Sequence, residues 1–443
     1  MTAGHDRSEI ATCSGLAADT APAGAIHSLW LDTACQAPIT QRMEGSLEVD
    51  VAIVGGGYTG LSSALHLAEN GLKVAVLEAR EIGYGASGRN GGQVNPGFKL
   101  DPHEVAGRYG VEAGERALRF VHSAPDRVFE LVSRYSMECA PIRPGSLTPA
   151  HSEAALRMLE RRAEGWATRG VRVRMLDQGE TEREIGTSRY LGALLDPRGG
   201  SLQPLSYVRE LARIAIEKGA RVFEGAAVRS LRKRASAWVA TTAHGEVRAR
   251  RVIVATNGYT GRLLPGLRQT IIAANSFQLA TAPLDPSLAS TILRGGRTAS
   301  DTRRIVRYFR KDPENRLVIG GRGHFGEPTR ARDFSHLQGA LRELFPQLAG
   351  VPIECHWAGR VALTQDGVPH IHEPEEGLLV VLGYNGRGIA MGTAMGQAIA
   401  EYVGGNAGAL PFPVTPVRRI PMHVFQRLYL AAAVNWFMFR DSL

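Results

Sequence analysis

The chain has 443 residues, of which 44% are hydrophobic, 21% charged and 7% aromatic, a composition that excludes wholesale disorder and supplies enough apolar side chains for one or two cores. The formal charge of +9 includes basic runs at residues 229–234 and 303–311. Both runs alternate with apolar residues as half-buried strands do, so we do not expect a nucleic-acid partner. The four cysteines lie far apart and no Cys/His group has zinc spacing, so neither a disulfide framework nor a metal site is expected.

The N-terminal region shows no targeting signal. The first 45 residues lack a basic region followed by an apolar one, and no run reaches the roughly 18 apolar residues that a membrane span needs. We therefore expect a cytoplasmic protein. Residues 1–28 are rich in Ala, Thr, Ser and Gly without periodicity, which predicts a loose N-terminal arm.

Regular structure is predicted to begin near Leu47. The stretch LEVDVAIV is a short strand, GGGYTG is a glycine turn, and apolar residues at helical spacing follow over residues 61–70. A second strand, KVAVLE, occupies residues 73–78. This order and length are typical of a right-handed βαβ crossover.

The rest of the chain alternates between two sequence patterns, one of helices and strands and one of antiparallel strands. Helical patterns over residues 102–135, 152–170 and 204–219 precede strands over residues 221–231 and 250–256, and between about 269 and 321 the period switches to two, as in an antiparallel sheet. After residue 350 the pattern of helices and strands returns, with a strand over residues 377–383 and a helix over residues 388–403. The predicted fold class is α/β plus α+β, with a discontinuous Rossmann-like nucleotide-binding domain and an antiparallel-sheet substrate domain. We assign residues 46–100, 151–265 and 352–408 to the first domain, residues 101–150 and 266–351 to the second with its covering helices, and residues 409–443 to a C-terminal tail.

A dinucleotide-binding motif lies at the first crossover. Gly55, Gly57 and Gly60 form GxGxxG, in which the first glycine makes the tight turn, the second admits the pyrophosphate and the third packs helix on strand. Glu78 ends the second strand 18 residues past Gly60. A carboxylate there accepts hydrogen bonds from both ribose hydroxyls and repels a 2′-phosphate, which disfavours NADP.

Two further glycine loops favour FAD over NAD. Residues 83–93 (GYGASGRNGGQ) follow the ribose-binding strand and can run their backbone along the pyrophosphate and the flavin edge. Residues 383–388 (GYNGRG) join a strand to a helix, so the amides of Gly388 and Ile389 face an anion at the helix N-terminus. Reduced flavin carries negative charge, which a helix dipole stabilises.

With these loops, the segments VGGGYTGLSSALHLAENG, GGSLQPLSYVRELARIAIEKGA, WAGRVALTQDGVPHI and GYNGRGIAMG make the chain resemble the D-amino-acid-oxidase superfamily of FAD-dependent oxidoreductases, from about residue 47 to 404. Relatives with covalent flavin use a His or Cys beside the ring, where this chain has Arg89, Asn90, Gly91 and Gly92, so the resemblance implies noncovalent FAD. The residues that it places at the cofactor are Gly55, Gly57, Tyr58, Thr59, Gly60, Glu78, Ala79, Ser87, Gly88, Arg89, Asn90, Gly91, Gly92, Gln93, Val228, Ala255, Asn257, Gly386, Gly388 and Ile389.

The resemblance also implies oxidation of an amine. In that reaction hydride passes from the carbon that bears nitrogen to flavin N5, and water hydrolyses the resulting imine to an aldehyde, with oxygen or another electron acceptor restoring the flavin. The amine must be neutral, which an apolar or aromatic pocket favours because desolvation lowers an ammonium pKa. Candidate pocket aromatics are Tyr308, Trp357 and Tyr384. Strand pairing for Tyr308 and core packing for Trp357 remain the alternatives.

The expected substrate has no carboxylate on the reacting carbon. Relatives that oxidise glycine or D-amino acids anchor the carboxylate with an arginine where this chain has Val361, and Arg360 is one residue off and should face the other side of an extended segment. Sarcosine-oxidising relatives have a lysine at the position of Ala390. Arg387 stands where relatives that oxidise γ-glutamylputrescine-like amines often have histidine. It either binds a distal carboxylate, assists reoxidation or is simply solvated.

Three alternatives remain open at this level. The chain is an amine oxidase, an amino-acid or 2-hydroxy-acid dehydrogenase that passes electrons to a quinone, or a flavoprotein without catalysis. Residues 421–440 have helical apolar spacing, which predicts an amphipathic helix that packs on the protein or on a partner subunit. Contact with a membrane surface is the less favoured interpretation of that helix.

Overall fold

The computed structural model describes residues 27–98, 100–323 and 326–426. The predicted N-terminal arm, apart from its last two residues, and the predicted C-terminal helix from residue 427 onward lie outside these residues. Among the described residues, no helix is long and apolar enough to cross a membrane.

Strands account for most of the regular structure around the cavity described below. In chain order they are β1 (Gly45–Val54), β2 (Val74–Leu77), β3 (Gln93–Val94), β4 (Ser146–Ala150), β5 (Arg174–Leu176), β6 (Gly192–Asp196), β7 (Gly200–Ser201), β8 (Arg221–Phe223), β9 (Ser230–Arg234), β10 (Ala237–Thr241), β11 (Gly245–Val254), β12 (Ile272–Pro283), β13 (Thr298–Ser300), β14 (Arg307–Lys311), β15 (Arg316–Arg322), β16 (Ile353–Leu363), β17 (His370–Glu375) and β18 (Leu378–Leu382).

The helices cover the sheets, and several begin at capping residues that the sequence contains. They are α1 (Leu29–Thr33), α2 (Tyr58–Glu69), α3 (Pro102–Tyr109), α4 (Val111–Arg134), α5 (Glu153–Ala167), α6 (Gln178–Ile185), α7 (Pro204–Glu217), α8 (Pro286–Ala289), α9 (Ser335–Leu344) and α10 (Gly388–Val403). Helix α7 begins with proline, and the Gln203 side chain caps it by accepting a hydrogen bond of 2.7 Å from the amide of Ser206. Helix α6 begins with a capping box between Asp177 and Glu180.

The first sheet has the strand order β17-β18-β11-β1-β2-β8, with β10 and β9 added beside β11. Strands β18, β11, β1, β2 and β8 are parallel, and their carboxyl ends therefore meet at one edge. Strand β1 lies between β2, which follows it through α2, and β11, which comes much later in the chain. The Rossmann-like part predicted from the sequence is thus present and discontinuous. Ligands bind at the edge where such strand orders reverse.

The second sheet has the order β16-β12-β15-β14-β13-β4-β6-β5 and is antiparallel except for the β13–β4 pair. The period-two pattern over residues 269–321 predicted this sheet. Two of the residue ranges assigned to the first domain contain strands of this sheet. Strands β5 and β6 lie within residues 151–265 and β16 lies within residues 352–408, yet all three pair in the second sheet. The stretch 221–231, predicted to form strands, contains β8 and the start of β9, and these two strands lie at different places in the first sheet.

Helices α2 and α10 pack directly against each other under the parallel sheet. Gly396 allows this close approach, because a Cβ atom there would lie 2.5 Å from the Cβ of Ser62. The Ser62 hydroxyl donates a 2.8 Å hydrogen bond to the carbonyl of Thr393 on α10. The contact brings the N-termini of both helices to the same edge of the sheet.

Candidate active site

A cavity of about 700 Å³ lies between the two sheets. Its wall on one side is built by the loops that follow β1, β2, β11 and β18 at the carboxyl edge of the first sheet, and on the other side by β12, β14, β15 and β16 of the second sheet. A volume of this size is typical of sites for a cofactor or a small ligand. The two predicted domains therefore share one site.

The GxGxxG turn forms one end of the cavity. Gly55 and Gly57 line it, whereas Gly60 packs behind, where a Cβ atom would lie 2.0 Å from the carbonyl oxygen of Gly55. The amide of Tyr58, in the first turn of α2, donates a 3.2 Å hydrogen bond to the hydroxyl of Ser87. The helix N-terminus is thus held against the second glycine loop, where an anion can bind, and a side chain at Gly57 would extend into that space.

Glu78 lies beside this turn at the end of β2. Its carboxylate accepts hydrogen bonds from the amide of Gly56 at 2.7 Å and from the amide of Arg80 at 3.0 Å. Burial raises the pKa of Glu78, and these backbone donors partly oppose that shift. Ala79, Val228 and Ala255 line the same end of the cavity, as the sequence analysis expected.

The second glycine loop is held rigidly by its own side chains and by the second sheet. The side-chain amide of Asn90 donates to the carbonyls of Ala86 and Ser87 at 3.0 and 2.9 Å. Arg310 donates to the carbonyl of Gly91 at 2.8 Å. Ser87, Arg89, Asn90, Gly91 and Gln93 line the cavity; Gly88 and Gly92 are not among its lining residues.

The third loop follows β18. Gly386, Gly388 and Ile389 line the cavity, and Asn257 fixes the loop by accepting a 2.9 Å hydrogen bond from the amide of Gly383. Ala390, in the first turn of α10, is buried and does not line the cavity. All three predicted loops therefore meet at one cavity.

A further observation supports the fit of these residues to FAD. The side-chain oxygen of Gln278 is buried without a hydrogen-bond partner among the described residues, and it lies 3.7 Å from the position of a Cβ atom at Gly91. Its amide nitrogen donates to the carbonyl of Arg89. A buried acceptor beside the second glycine loop needs a donor, and a flavin ring carries one.

Of the three candidate pocket aromatics, two line the cavity and one does not. Tyr308 lines the cavity and shares a 2.7 Å hydrogen bond with the hydroxyl of Ser276, and Tyr384 lines it with its hydroxyl 2.7 Å from that of Thr59. Burial raises the pKa of both phenols, which therefore stay neutral. Trp357 does not line the cavity, and its assignment to the pocket was wrong.

Trp357 faces the same side of the sheet as Gln278, its partner in the β12–β16 register. Its indole nitrogen donates a 3.1 Å hydrogen bond to the carbonyl of Arg89, and the ring of Trp30 packs edge-on at 5.6 Å. The second glycine loop and α1 therefore cover the ring. The core-packing alternative stated for Trp357 is the one observed.

Arg387 lines the cavity directly before α10 and is not a solvated surface residue. Its guanidinium donates a 2.8 Å hydrogen bond to the carbonyl of Pro96, while its Nε atom is buried without a partner among the described residues. Burial lowers the pKa of Arg387 to about 10, and nearby Arg162 and Arg198 contribute.

Val361 lines the cavity and lies opposite Ala274 in the β12–β16 register. Arg360 lies opposite Asn275 in the same register, and both also line the cavity, so alternation does not remove Arg360 from it. The Arg360 guanidinium forms an ion pair with Glu327. The position used by amino-acid-oxidising relatives for a carboxylate anchor thus holds an apolar side chain.

The sequence analysis missed several residues of the substrate side, namely Ser276, Gln278, Asp301, Arg303 and Arg322. For Ser276 and Gln278 the signal was present, because these polar residues alternate with the buried Phe277 and Leu279 along a predicted strand. The pattern shows that one face is polar but does not show what that face meets. The pairing of β12 with β15 and β16 determines what the polar face meets.

One group of potential metal ligands occurs among the described residues. Ligand atoms of His27, Asp32 and Cys355 lie within 4.8 Å of one another. His27 and Asp32 are exposed, and none of the three lines the cavity.

Comparison with known proteins agrees with this geometry. The chain matches the model of the FAD dependent oxidoreductase family over residues 50–402. It is 34% identical to the gamma-glutamylputrescine oxidoreductase of Escherichia coli, covering 90% of this chain and 94% of that protein, and 32% identical to a probable oxidoreductase of Rhizobium meliloti, covering 94% and 97%.

Solved structures show the same fold. The crystal structure of glycine oxidase from Geobacillus kaustophilus superposes with a TM-score of 0.68 at 23% identity, covering 81% of this chain and 95% of that one. L-proline dehydrogenase from P. horikoshii superposes with a TM-score of 0.68 at 20% identity, covering 84% and 96%. From the family match, the relatives and the shared cavity, we conclude that this chain belongs to the FAD-dependent oxidoreductase family and that its cofactor is FAD.

Proposed function

We propose that the chain oxidises a C–NH bond of an amine that has no carboxylate on the reacting carbon, with dioxygen as the electron acceptor. The observation that carries this proposal is Val361. An apolar side chain stands at the cavity wall where a carboxylate anchor would be needed for an α-amino acid. The 34% identity to a gamma-glutamylputrescine oxidoreductase supports the same class of substrate.

The charges that line the cavity support a neutral amine. Eight arginines and three carboxylates, those of Glu78, Asp196 and Asp301, are among its lining residues. An excess of positive charge in a desolvated site lowers the pKa of an ammonium group, because it disfavours a further cation. A substrate amine therefore loses its proton on entering, which frees the nitrogen lone pair that assists loss of hydride from the adjacent carbon.

Bound FAD supplies the hydride acceptor. The protein positions it: the first loop with Glu78 holds the adenosine and pyrophosphate part, and the loop around Gly91 together with the N-terminus of α10 holds the ring. Tyr308 and Tyr384 present neutral, fixed aromatic walls. Because no described residue of the cavity is arranged as a nucleophile, the proposed chemistry needs positioning and desolvation rather than covalent catalysis.

An anaerobic reduction assay tests the proposal. The purified yellow protein is mixed with putrescine, spermidine, γ-glutamylputrescine, glycine, sarcosine and D-alanine, and bleaching of the flavin is followed. The diamine derivatives should bleach it fastest, and in air they should yield hydrogen peroxide. A higher kcat/KM for D-alanine than for every diamine derivative contradicts the proposed substrate class.

The other outcomes identify the alternatives. Bleaching by amines without peroxide formation, together with reoxidation by a quinone, indicates a dehydrogenase. No bleaching by any amine or amino acid indicates a flavoprotein without this activity.

A further inference from the structure

The cavity contains an arginine whose side chain has no partner among the described residues. Arg322, the last residue of β15, lines the cavity, and its side chain makes no hydrogen bond or ion pair with any residue among those described. Other arginines of the wall are engaged: Arg303 pairs with Asp301 at 2.7 Å, Arg162 with Asp101 at 2.7 Å, and Arg360 with Glu327. A half-buried guanidinium without a counter-charge is unfavourable unless a ligand supplies one.

We propose that Arg322 binds a carboxylate at the far end of the amine substrate and so determines specificity for amines with an anionic tail. This inference rests on the proposed function, because it assigns the second end of the same substrate. The planar guanidinium suits a carboxylate, which it can bind through two parallel hydrogen bonds.

The register of the second sheet places Arg322 on the substrate face. It lies directly opposite Ser276 on β12, and Ser276 in turn lies opposite Gly359 on β16. Val361 lies two residues further along β16 on the same face. Two strand spacings and two residues put the backbone of Arg322 roughly 12 Å from that of Val361. Arg322 therefore stands at a different place on the cavity wall from Val361, the position at which relatives that oxidise amino acids anchor the carboxylate.

Tyr308 and Ser276 connect Arg322 to the second glycine loop. A Cβ atom at Gly91 would lie 2.9 Å from the ring of Tyr308, so Tyr308 adjoins the second glycine loop. The Tyr308 hydroxyl contacts Ser276, and Arg322 is the next residue across the sheet from Ser276. Arg322 therefore lines the same cavity as the second glycine loop, from the side of the second sheet. Burial lowers the pKa of Arg322, as expected for a guanidinium withdrawn from water.

The test compares two amines of equal length. N-glutarylputrescine ends in a carboxylate, and its carboxamide analogue ends in a neutral group. Anaerobic flavin reduction is measured with both for the wild-type holoenzyme, Arg322→Gln and Arg322→Lys. Arg360→Gln is the control, because it removes another arginine that lines the cavity but is already paired with a carboxylate, that of Glu327.

For Arg322→Gln, KM for the carboxylate amine should rise about 10- to 100-fold, the range for loss of a hydrogen-bonded ion pair, while kcat stays within about twofold. The carboxamide amine should show little change. Arg322→Lys should show a smaller rise, since it keeps the charge but loses the second hydrogen bond. Arg360→Gln should affect both amines alike.

Glutarate binding gives a readout that does not depend on turnover. Glutarate should perturb the visible spectrum of the wild-type flavoprotein, and Arg322→Gln should weaken its Kd by about the same factor as the KM. If neither amine reduces the wild-type flavin, the proposed function is wrong, and the glutarate titration alone decides the role of Arg322. Equal effects on both amines, no glutarate binding by the wild type, unchanged binding in Arg322→Gln, or loss of FAD from Arg322→Gln would each overturn the inference.

Discussion

Gly57 is the residue at which a single side chain should abolish cofactor binding. A Cβ atom there would lie 2.9 Å from the hydroxyl oxygen of Ser87, and the branches of valine would extend into the cavity beside the N-terminus of α2. We expect Gly57→Val to purify without FAD, which the ratio of flavin to protein absorbance measures. Gly261→Ala is the control, since a Cβ atom at Gly261 meets nothing within 4 Å. A normal FAD content in Gly57→Val would place the cofactor elsewhere.

The residues beside the flavin site also determine how FAD is attached. Arg89, Asn90, Gly91 and Gly92 offer no thiol or imidazole, so we expect noncovalent FAD. Acid precipitation of the holoenzyme should release all the yellow colour into the supernatant. Flavin that remains in the protein pellet after washing would show a covalent bond and contradict this expectation.

At the scale of elements, the contact between α2 and α10 fixes where two helix N-termini lie. Gly396→Val inserts a branched side chain where even a Cβ atom would lie 2.8 Å from the amide nitrogen of Ser63. Overpacking of this kind costs about 1–3 kcal/mol of unfolding free energy. Urea unfolding should detect the loss, together with weaker FAD binding, because both helices contribute to the site.

Gly339→Ala serves as the control for this substitution. Gly339 lies in α9, and a Cβ atom there meets nothing within 4 Å. Alanine should leave stability unchanged or raise it by about 0.5–1 kcal/mol, since glycine disfavours a helix interior. Equal losses in both variants would show that the α2–α10 contact is not tightly packed.

Strand β17 makes stability depend on pH. His372 on this strand is buried, its Nδ1 atom lies 2.7 Å from the carbonyl of Thr415, and its Nε2 atom has no partner among the described residues. Burial lowers the pKa of His372, so the folded chain resists the proton that the unfolded chain takes up near pH 6.5. The stability that neutral His372 contributes is therefore full above that pH and is lost as the pH falls through the lowered pKa.

We expect the unfolding free energy of the wild type to fall more steeply between pH 7 and pH 5 than that of His372→Gln. Urea titrations of both proteins at the two pH values measure the difference in slope. The exposed His244→Gln variant should keep the wild-type slope. Identical slopes in wild type and His372→Gln would show that His372 does not contribute to the pH dependence.

At the scale of the whole molecule, FAD should link the two sheets. The cavity is lined by loops of the first sheet and by β12, β14, β15 and β16 of the second, so a bound cofactor contacts both. Free FAD at 100 times its Kd should raise the unfolding free energy by about 2.7 kcal/mol. Thermal melts of the apoprotein at increasing FAD concentration measure this, and Gly57→Val should show no rise. A melting temperature independent of FAD in the wild type would contradict the linkage.

The sequence by itself determined the features that depend on neighbouring residues. Glycines at Gly55, Gly57 and Gly60, proline at the start of α7 and alternating apolar residues in β12 act over a few positions, so the elements and the nucleotide motif could be predicted without the fold. The family followed from the same local motifs. The apolar side chain of Val361 at the position of the carboxylate anchor was also predictable, because it depends on the residue at that position alone.

Only the tertiary structure decided which side chains meet across strands that are distant in the chain. Trp357 and Gln278 share a face, yet the second glycine loop covers the indole and leaves the amide oxygen of Gln278 without a partner. The same pairing places Arg322 opposite Ser276, and no carboxylate of the described residues pairs with it, although an arginine at the end of a strand suggests a solvated residue. Burial and pairing of a charge depend on long-range packing, which a local pattern does not contain.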